Sequence, residues 1–278
     1  MKNNNLNLKN YIQWLKKRNL SAKTVEIYSK VISRRYGNQP FNNKNISAFI
    51  KKLAKEREAE TCKSYRNALS SYAKWQKITN IDWESINNLI PKVQKKFFIT
   101  INEEELVKLK ETRFEKNNFI YQRNSLIMDF LFYTGVRVSE LVNIKHRDWE
   151  NNGLRILGKG NKIRYIFLPE FLVEHIKLGS IGYLFKNSKG SQISNKQVRK
   201  MICQRVKLAK LNKWISPHSF RRSFATLLDR KGVRMSTIQK LLGHNDINTT
   251  IGYIHNNYEI LYQDYSKLWK NEANISVS

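Results

Sequence analysis

In the segment TCKSYRNALSSYAKW, residues 61–75, Tyr65, Ala68, Leu69, Tyr72 and Trp75 recur at the spacing of one helix face. Lys63, Arg66, Ser70 and Lys74 fall on the other face. The same division runs through SAKTVEIYSKVISRRYG, residues 21–37, where Val25, Tyr28, Ile32 and Tyr36 form the apolar stripe and Lys23, Lys30 and Arg34 cluster opposite. Ser21 suits an N-cap there and Gly37 a C-cap. Stripes of this kind are buried only when helix packs on helix, so residues 8–78 read as helices joined by short polar turns.

The pattern loosens over residues 79–98, where Pro91 is followed by the basic run KVQKK, and this is the expected linker. It divides the chain into a helical part over 1–92 and a second part over 93–278. In the second part TINE, residues 100–103, matches a capping box, and helices are expected over 102–112, 117–134 and 137–144. The period then changes once. LRIL at 154–157 and IRYIFL at 163–168 flank the turn GKGN and predict a β-hairpin. Beyond residue 195 helical spacing returns. The expected fold is therefore mainly α, with one small antiparallel β-hairpin sheet in the second part.

Charge narrows the partner. The chain of 278 residues carries 51 Lys and Arg against 22 Asp and Glu, a net of +29. Residues 1–92 hold a net of +13 and residues 93–278 a net of +16, so the excess is not a basic tail on a neutral body. Nucleic acid is the leading partner for such a surface, although a membrane surface or the ribosome would tolerate it too. Lys23, Lys30, Arg34, Lys63, Arg66 and Lys74 are the candidate phosphate contacts of the first part. A merely solvated face is the ordinary alternative. Cys62 and Cys203 have no CxxC spacing, so neither a disulfide framework nor a zinc site is expected. The opening MKNNNLNLKNYIQW lacks the apolar core of a signal peptide, and no run is long enough to span a membrane. A soluble, cytoplasmic, nucleoid-associated protein is expected.

Four stretches combine charged or reactive side chains with structural punctuation: TGVRVSEL (134–141), LGKGNKIR (157–164), PHSFRRSFAT (217–226) and LLGHNDINTTIGY (241–253). Each has a plain reading alone. Arg137 is a surface residue at a helix start, and Lys159 is a basic turn between glycines. His218 is a satisfied histidine one turn from Arg221, after a helix-starting Pro217. His244 fills a turn after the helix-ending Gly243, and Tyr253 packs in the next helix, N-capped by Asn248 or Thr249. Together they suit transesterification at a phosphodiester. Two arginine forks match phosphate oxygens, a histidine can take the proton of a tyrosine, and a lysine can protonate a departing sugar oxygen. No metal site or cofactor is suggested.

In this order and at this spacing the four stretches resemble the tyrosine recombinase (phage integrase) family, its Xer-like members above all. The likeness is strong over residues 100–260 and looser over 10–80, which resembles the family's helical, SAM-like core-binding domain. It implies that Arg137 and Arg221 grip the scissile phosphate, Lys159 acts as general acid, His218 as base, and His244 as a further phosphate contact. Tyr253 would attack to leave a 3′-phosphotyrosine, and Glu140 would support the shell. Lys162 lies on the same hairpin and is the alternative to Lys159 for that role. Arg222 stands where Xer-type relatives often carry histidine. About ten residues precede the first expected helix, which suggests the two-domain form acting on one short core site. The likeness further implies double-stranded DNA as partner and a homotetramer, or a heterotetramer with a related recombinase, working through a Holliday junction. A DNA translocase is a possible activator on the same grounds. The tail YEILYQDYSKLW (258–269), with Leu261, Tyr265 and Leu268 in register, either covers its own core or docks on a neighbouring protomer. A type IB topoisomerase and a non-catalytic basic DNA-binding protein are the rival readings.

Overall fold

The structure, a computed structural model, describes residues 2–92, 97–150, 153–158, 163–176, 181–243 and 251, with side chains from residue 7 onward. It divides into two units, Met1–Lys95 and Lys96–Ser278.

The first unit is helical: α1 (Lys2–Lys17), α2 (Ala22–Lys30), α3 (Asn43–Glu56), α4 (Ala59–Gln76) and α5 (Trp83–Asn88). The first helix begins at Lys2, several residues earlier than periodicity implied. Ser21 caps α2 by accepting the Thr24 N–H at 3.1 Å. The helix does not run on evenly to Gly37. Residues Val31–Tyr36 wind as a π-helix, whose wider turn ends where the Gly37 N–H reaches the Ile32 carbonyl at 3.0 Å. The core is unusually aromatic. Tyr11 is fully buried and packs on Trp14, Tyr72 and Trp75 with ring centroids 5.1–6.1 Å apart. Tyr36, Phe41 and Phe49 extend the cluster, and each such pair contributes about 0.5–1.5 kcal/mol beyond its buried area.

The second unit comprises α6 (Glu103–Glu111), α7 (Asn118–Thr134), α8 (Val138–Leu141), three short strands, α9 (Glu170–Val173), α10 (Asn195–Leu208), α11 (Pro217–Arg230) and α12 (Met235–Leu242). Its core gathers Leu106, Leu109, Ile127, Phe130, Leu131, Phe185, Val198, Ile202 and Phe220, all at most 2 % exposed. α7 lies at the centre of the unit, against α6, α10 and α11. Strands β1 (Trp149–Glu150), β2 (Gly153–Leu157) and β3 (Ile163–Ile166) form an antiparallel sheet in the order β1-β2-β3. Leu154 pairs with Ile166 and Ile156 with Arg164. Leu154, Ile156 and Ile166 are buried, whereas Leu157 and Ile163 are exposed, as period-two alternation requires.

Two local expectations are corrected. The capping box is not TINE but Asn102 with Glu105: the Glu105 N–H donates to the Asn102 side chain at 2.8 Å, and the Asn102 N–H donates back to Glu105 at 3.0 Å. Thr100 and Ile101 are unavailable because the Thr100 carbonyl accepts from Lys213 and the Ile101 N–H donates to Ser223. The helix expected over 137–144 is a single turn. Its continuation is taken by the chain near Tyr183, where the Leu184 N–H donates to the Ile144 carbonyl and Lys145 forms a β-bridge.

Candidate active site

α7 ends at Gly135, whose φ of +59° is the left-handed conformation that glycine tolerates. A β-carbon there would lie 2.4 Å from a Phe224 ring atom, so the position also requires glycine for space. The chain leaves extended through Arg137 and turns at once into α8. Glu140 folds back over that turn. Its Oε2 accepts the Arg137 backbone N–H and its Oε1 accepts the Arg137 guanidinium, both at 2.9 Å.

Arg221 arrives from α11. Pro217 occupies the first turn, where its missing N–H costs nothing, and Arg221 follows one turn later with 1 % of its surface exposed. Its guanidinium donates to the Gly135 carbonyl at 2.6 Å and to the Leu242 carbonyl. α12 ends at Gly243, again left-handed, with φ +63°.

The end of α12 is where these elements meet. The last carbonyls of a helix lack intrahelical donors and carry its negative pole. Here Leu241 O accepts Arg164 Nε at 3.1 Å, Leu242 O accepts Arg221, and Gly243 O accepts Arg137 at 3.3 Å. Three arginines from three elements thus converge on three successive carbonyls. Arg164 also forks onto Glu140, at 2.9 Å and 2.8 Å. Burial alone would raise the Glu140 carboxyl, but the Arg164 fork and then Arg137 outweigh it and hold the group at about 2.

Of the sequence candidates, Arg137, Arg221, Glu140 and His218 share this region. The His218 ring reaches solvent, yet its pKa is lowered, first by partial desolvation and then by the charges of Arg222, Arg221, Arg199 and Arg137. A neutral imidazole beside arginines can accept a proton at neutral pH. Lys159, Lys162, His244, Asn248, Thr249, Tyr253 and the tail residues Leu261, Tyr265 and Leu268 lie outside the described residues. In the first unit Lys23, Arg34 and Lys74 are exposed. Lys30 and Lys63 are exposed too, beside Glu26 and Glu60, and exposed pairs of that kind contribute little. Arg66 is half-buried, 5.4 Å over the Trp83 ring and 3.2 Å from the Asn67 side chain. Arg164 was not anticipated. Its period-two partner Ile166 points inward, so a cation on the buried side of β3 was the available sign.

A large separate cavity of about 860 Å³ lies beside α6 and α7, lined in part by Phe119, Tyr121, Asp129 and Phe185. It contains none of the motif residues, and the arginine cluster is not part of it.

Fold and site define a basic, mainly helical protein whose second unit gathers three arginines on the carbonyls at one helix end. The chain belongs to the phage integrase family, whose model matches residues 100–259. Curated relatives carry tyrosine recombinase names. A tyrosine recombinase of Thermosipho africanus is 30% identical over 84% of this chain and 89% of its own length. The XerC recombinase of Staphylococcus aureus is 32% identical over 87% of this chain and 81% of its own. That of Staphylococcus epidermidis reaches 38%, over 59% of this chain and 60% of its own length, so the chain spans under two thirds of that relative. Among solved structures, XerH bound to a palindromic difH substrate shares the fold with a TM-score of 0.68 at 24% identity, covering 89% of this chain and 78% of that one. A lambda integrase fragment, solved as a dimer on a core site, scores 0.72 at 20% identity, covering 90% and 94%. No helix among the described residues is long and apolar enough to cross a membrane.

Proposed function

We propose that this chain is a site-specific DNA recombinase that cuts and rejoins DNA through a covalent phosphotyrosine. The observation that carries the reading is the convergence of Arg137 and Arg221 on neighbouring carbonyls at the end of α12. In this reading a phosphate arriving there takes the place of the long Gly243 contact on Arg137, beside a second guanidinium already held in place, and the pair stabilises charge developing on its oxygens. Tyr253 is the nucleophile. Its oxygen forms the new ester bond to phosphorus while the 5′-oxygen leaves, giving a 3′-phosphotyrosine and a free 5′-hydroxyl. His218 takes the phenolic proton, Lys159 protonates the leaving oxygen, and His244 adds a phosphate contact. The ester energy is conserved, so rejoining needs no ATP, and the reading assigns no step to a metal. In this reading the first unit holds the duplex through Lys23, Arg34, Lys74 and their neighbours, and four protomers exchange strands through a Holliday junction.

The test is capture of covalent DNA. The protein is expressed in bacteria carrying DNA of its source, the cells are denatured rapidly, and DNA still bound to protein is sequenced. A sharp set of sites is expected. Adducts spread over all sequences would favour a type IB topoisomerase. No adduct, in cells or on nicked suicide substrates in vitro, would overturn the reading.

A pH profile tests the base. Because the His218 pKa is lowered in the free protein, the imidazole stays neutral further into acid than an ordinary histidine near 6.5. Single-turnover cleavage at subsaturating DNA should therefore fall only below that value, and His218→Gln should flatten that acid limb. A limb that persists unchanged in His218→Gln would assign the base elsewhere.

A further inference from the structure

Arg164 belongs to none of the roles above, yet all three of its guanidinium nitrogens donate to the protein. It stands in β3, two residues beyond Lys162 in the chain, with 11% of its side chain exposed. Its stem passes under the end of α12 so closely that a β-carbon on Gly243 would lie 2.7 Å from Arg164 Cδ. Its donors are turned to Leu241 O and to both oxygens of Glu140, not to solvent.

We propose that Arg164 is a positioning residue: by occupying Glu140 it prevents that carboxylate, which already holds Arg137 Nη1, from drawing in a second donor of the same guanidinium, and so keeps Arg137 Nη2 available to a phosphate. The proposal rests on the reading of Arg137 as a phosphate ligand. A carboxylate offers about four acceptor positions. All are filled here, two by Arg164, one by the Arg137 backbone N–H and one by Arg137 Nη1. Among the described residues Arg137 Nη2 has only the 3.3 Å contact to Gly243 O, which a phosphate oxygen can replace. Without Arg164, two positions on Glu140 open beside the remaining arginine. Guanidinium and carboxylate favour a two-pronged bond, so Arg137 turns onto Glu140 and an incoming phosphate must compete with it.

Three proteins separate this from a structural role: the wild type, Arg164→Met, and Arg164→Met combined with Glu140→Gln. On a nicked suicide substrate, Arg164→Met should cleave about 100-fold more slowly, the scale of a misplaced catalytic group. The double variant should recover to within roughly tenfold of wild type, because a neutral amide no longer draws Arg137 away. A structural role predicts the opposite order, since the second change removes more of the same network. A double variant slower than Arg164→Met, tracking its thermal midpoint, overturns the proposal. Inorganic phosphate, titrated against the Nε–H resonance of Arg137 in the DNA-free proteins, reads the same competition without cleavage. Half-saturation should need more phosphate in Arg164→Met and return toward wild type in the double variant, and equal values in wild type and Arg164→Met overturn the proposal. If the wild type fails to cleave while the phosphate pattern holds, it is the recombinase reading that fails and the role of Arg164 that stands.

Discussion

Tyr253→Phe, put through the same denaturing capture, should yield no covalently bound DNA while still retarding duplex DNA in a gel. The substitution removes only the phenolic oxygen, so everything that contributes to affinity remains. Binding of a chain with net charge +29 comes mainly from lysine and arginine contacts to phosphates, none of which is touched. Removing a nucleophile, by contrast, costs on the order of 10⁴–10⁶-fold in rate. Adduct formation by the variant would mean that another residue attacks. Loss of binding and adduct together would mean that Tyr253 holds the fold, and the assignment would then lack support.

Arg205→Ala should unfold the second unit at a temperature roughly 10 °C lower. Arg205 is fully buried in α10 and reaches across to the end of α6, donating to Leu109 O at 2.9 Å and Lys110 O at 2.7 Å. Those carbonyls lie in the last turn of α6, where donors are missing and a cation is favoured. It also donates to Glu115 at 2.8 Å, and Glu115 in turn accepts from Asn124 on α7. The guanidinium lies 5.1 Å above the Tyr121 ring. One side chain thus joins α6, α7 and α10 beneath the core. Truncating it leaves Glu115 buried without its cation, a loss of about 3–5 kcal/mol. For a unit of this size each kcal/mol lowers the midpoint by about 2–4 °C. Arg205→Met with Glu115→Leu should cost distinctly less than Arg205→Ala, because no orphaned charge is left. Calorimetry would show this, and an Arg205→Ala midpoint within 2 °C of wild type would refute it.

Much of this was legible in the sequence because local chemistry decided it. Gly135 and Gly243 end their helices where glycine was needed for positive φ, and Pro217 opens α11. The stripes of α2 and α4 reach the core as their period required, although the π-turn at Val31–Tyr36 left no mark in the pattern. TINE and NEEE offered the same spacing, and only the distant Lys213 and Ser223 decided between them. Arg205 did leave a sign. Val198, Met201, Ile202 and Arg205 continue one stripe, so a cation stood where a core residue was due. The convergence of Arg137, Arg164 and Arg221 was not readable, since their common partners are main-chain carbonyls, which no residue type announces.

That last feature bears on how such a site tolerates change. A carbonyl oxygen is present whatever side chain its residue carries, so positions 241 and 242 can vary in identity without disconnecting Arg164 or Arg221, provided the helix packs. A one-residue insertion within α12 is another matter. It would turn every later carbonyl by about 100° around the helix axis and detach all three arginines at once. A library of substitutions and single insertions across Met235–Leu242, scored for covalent capture, should show that asymmetry: latitude in composition wherever the buried Ile238 and Leu242 stay apolar, none in length.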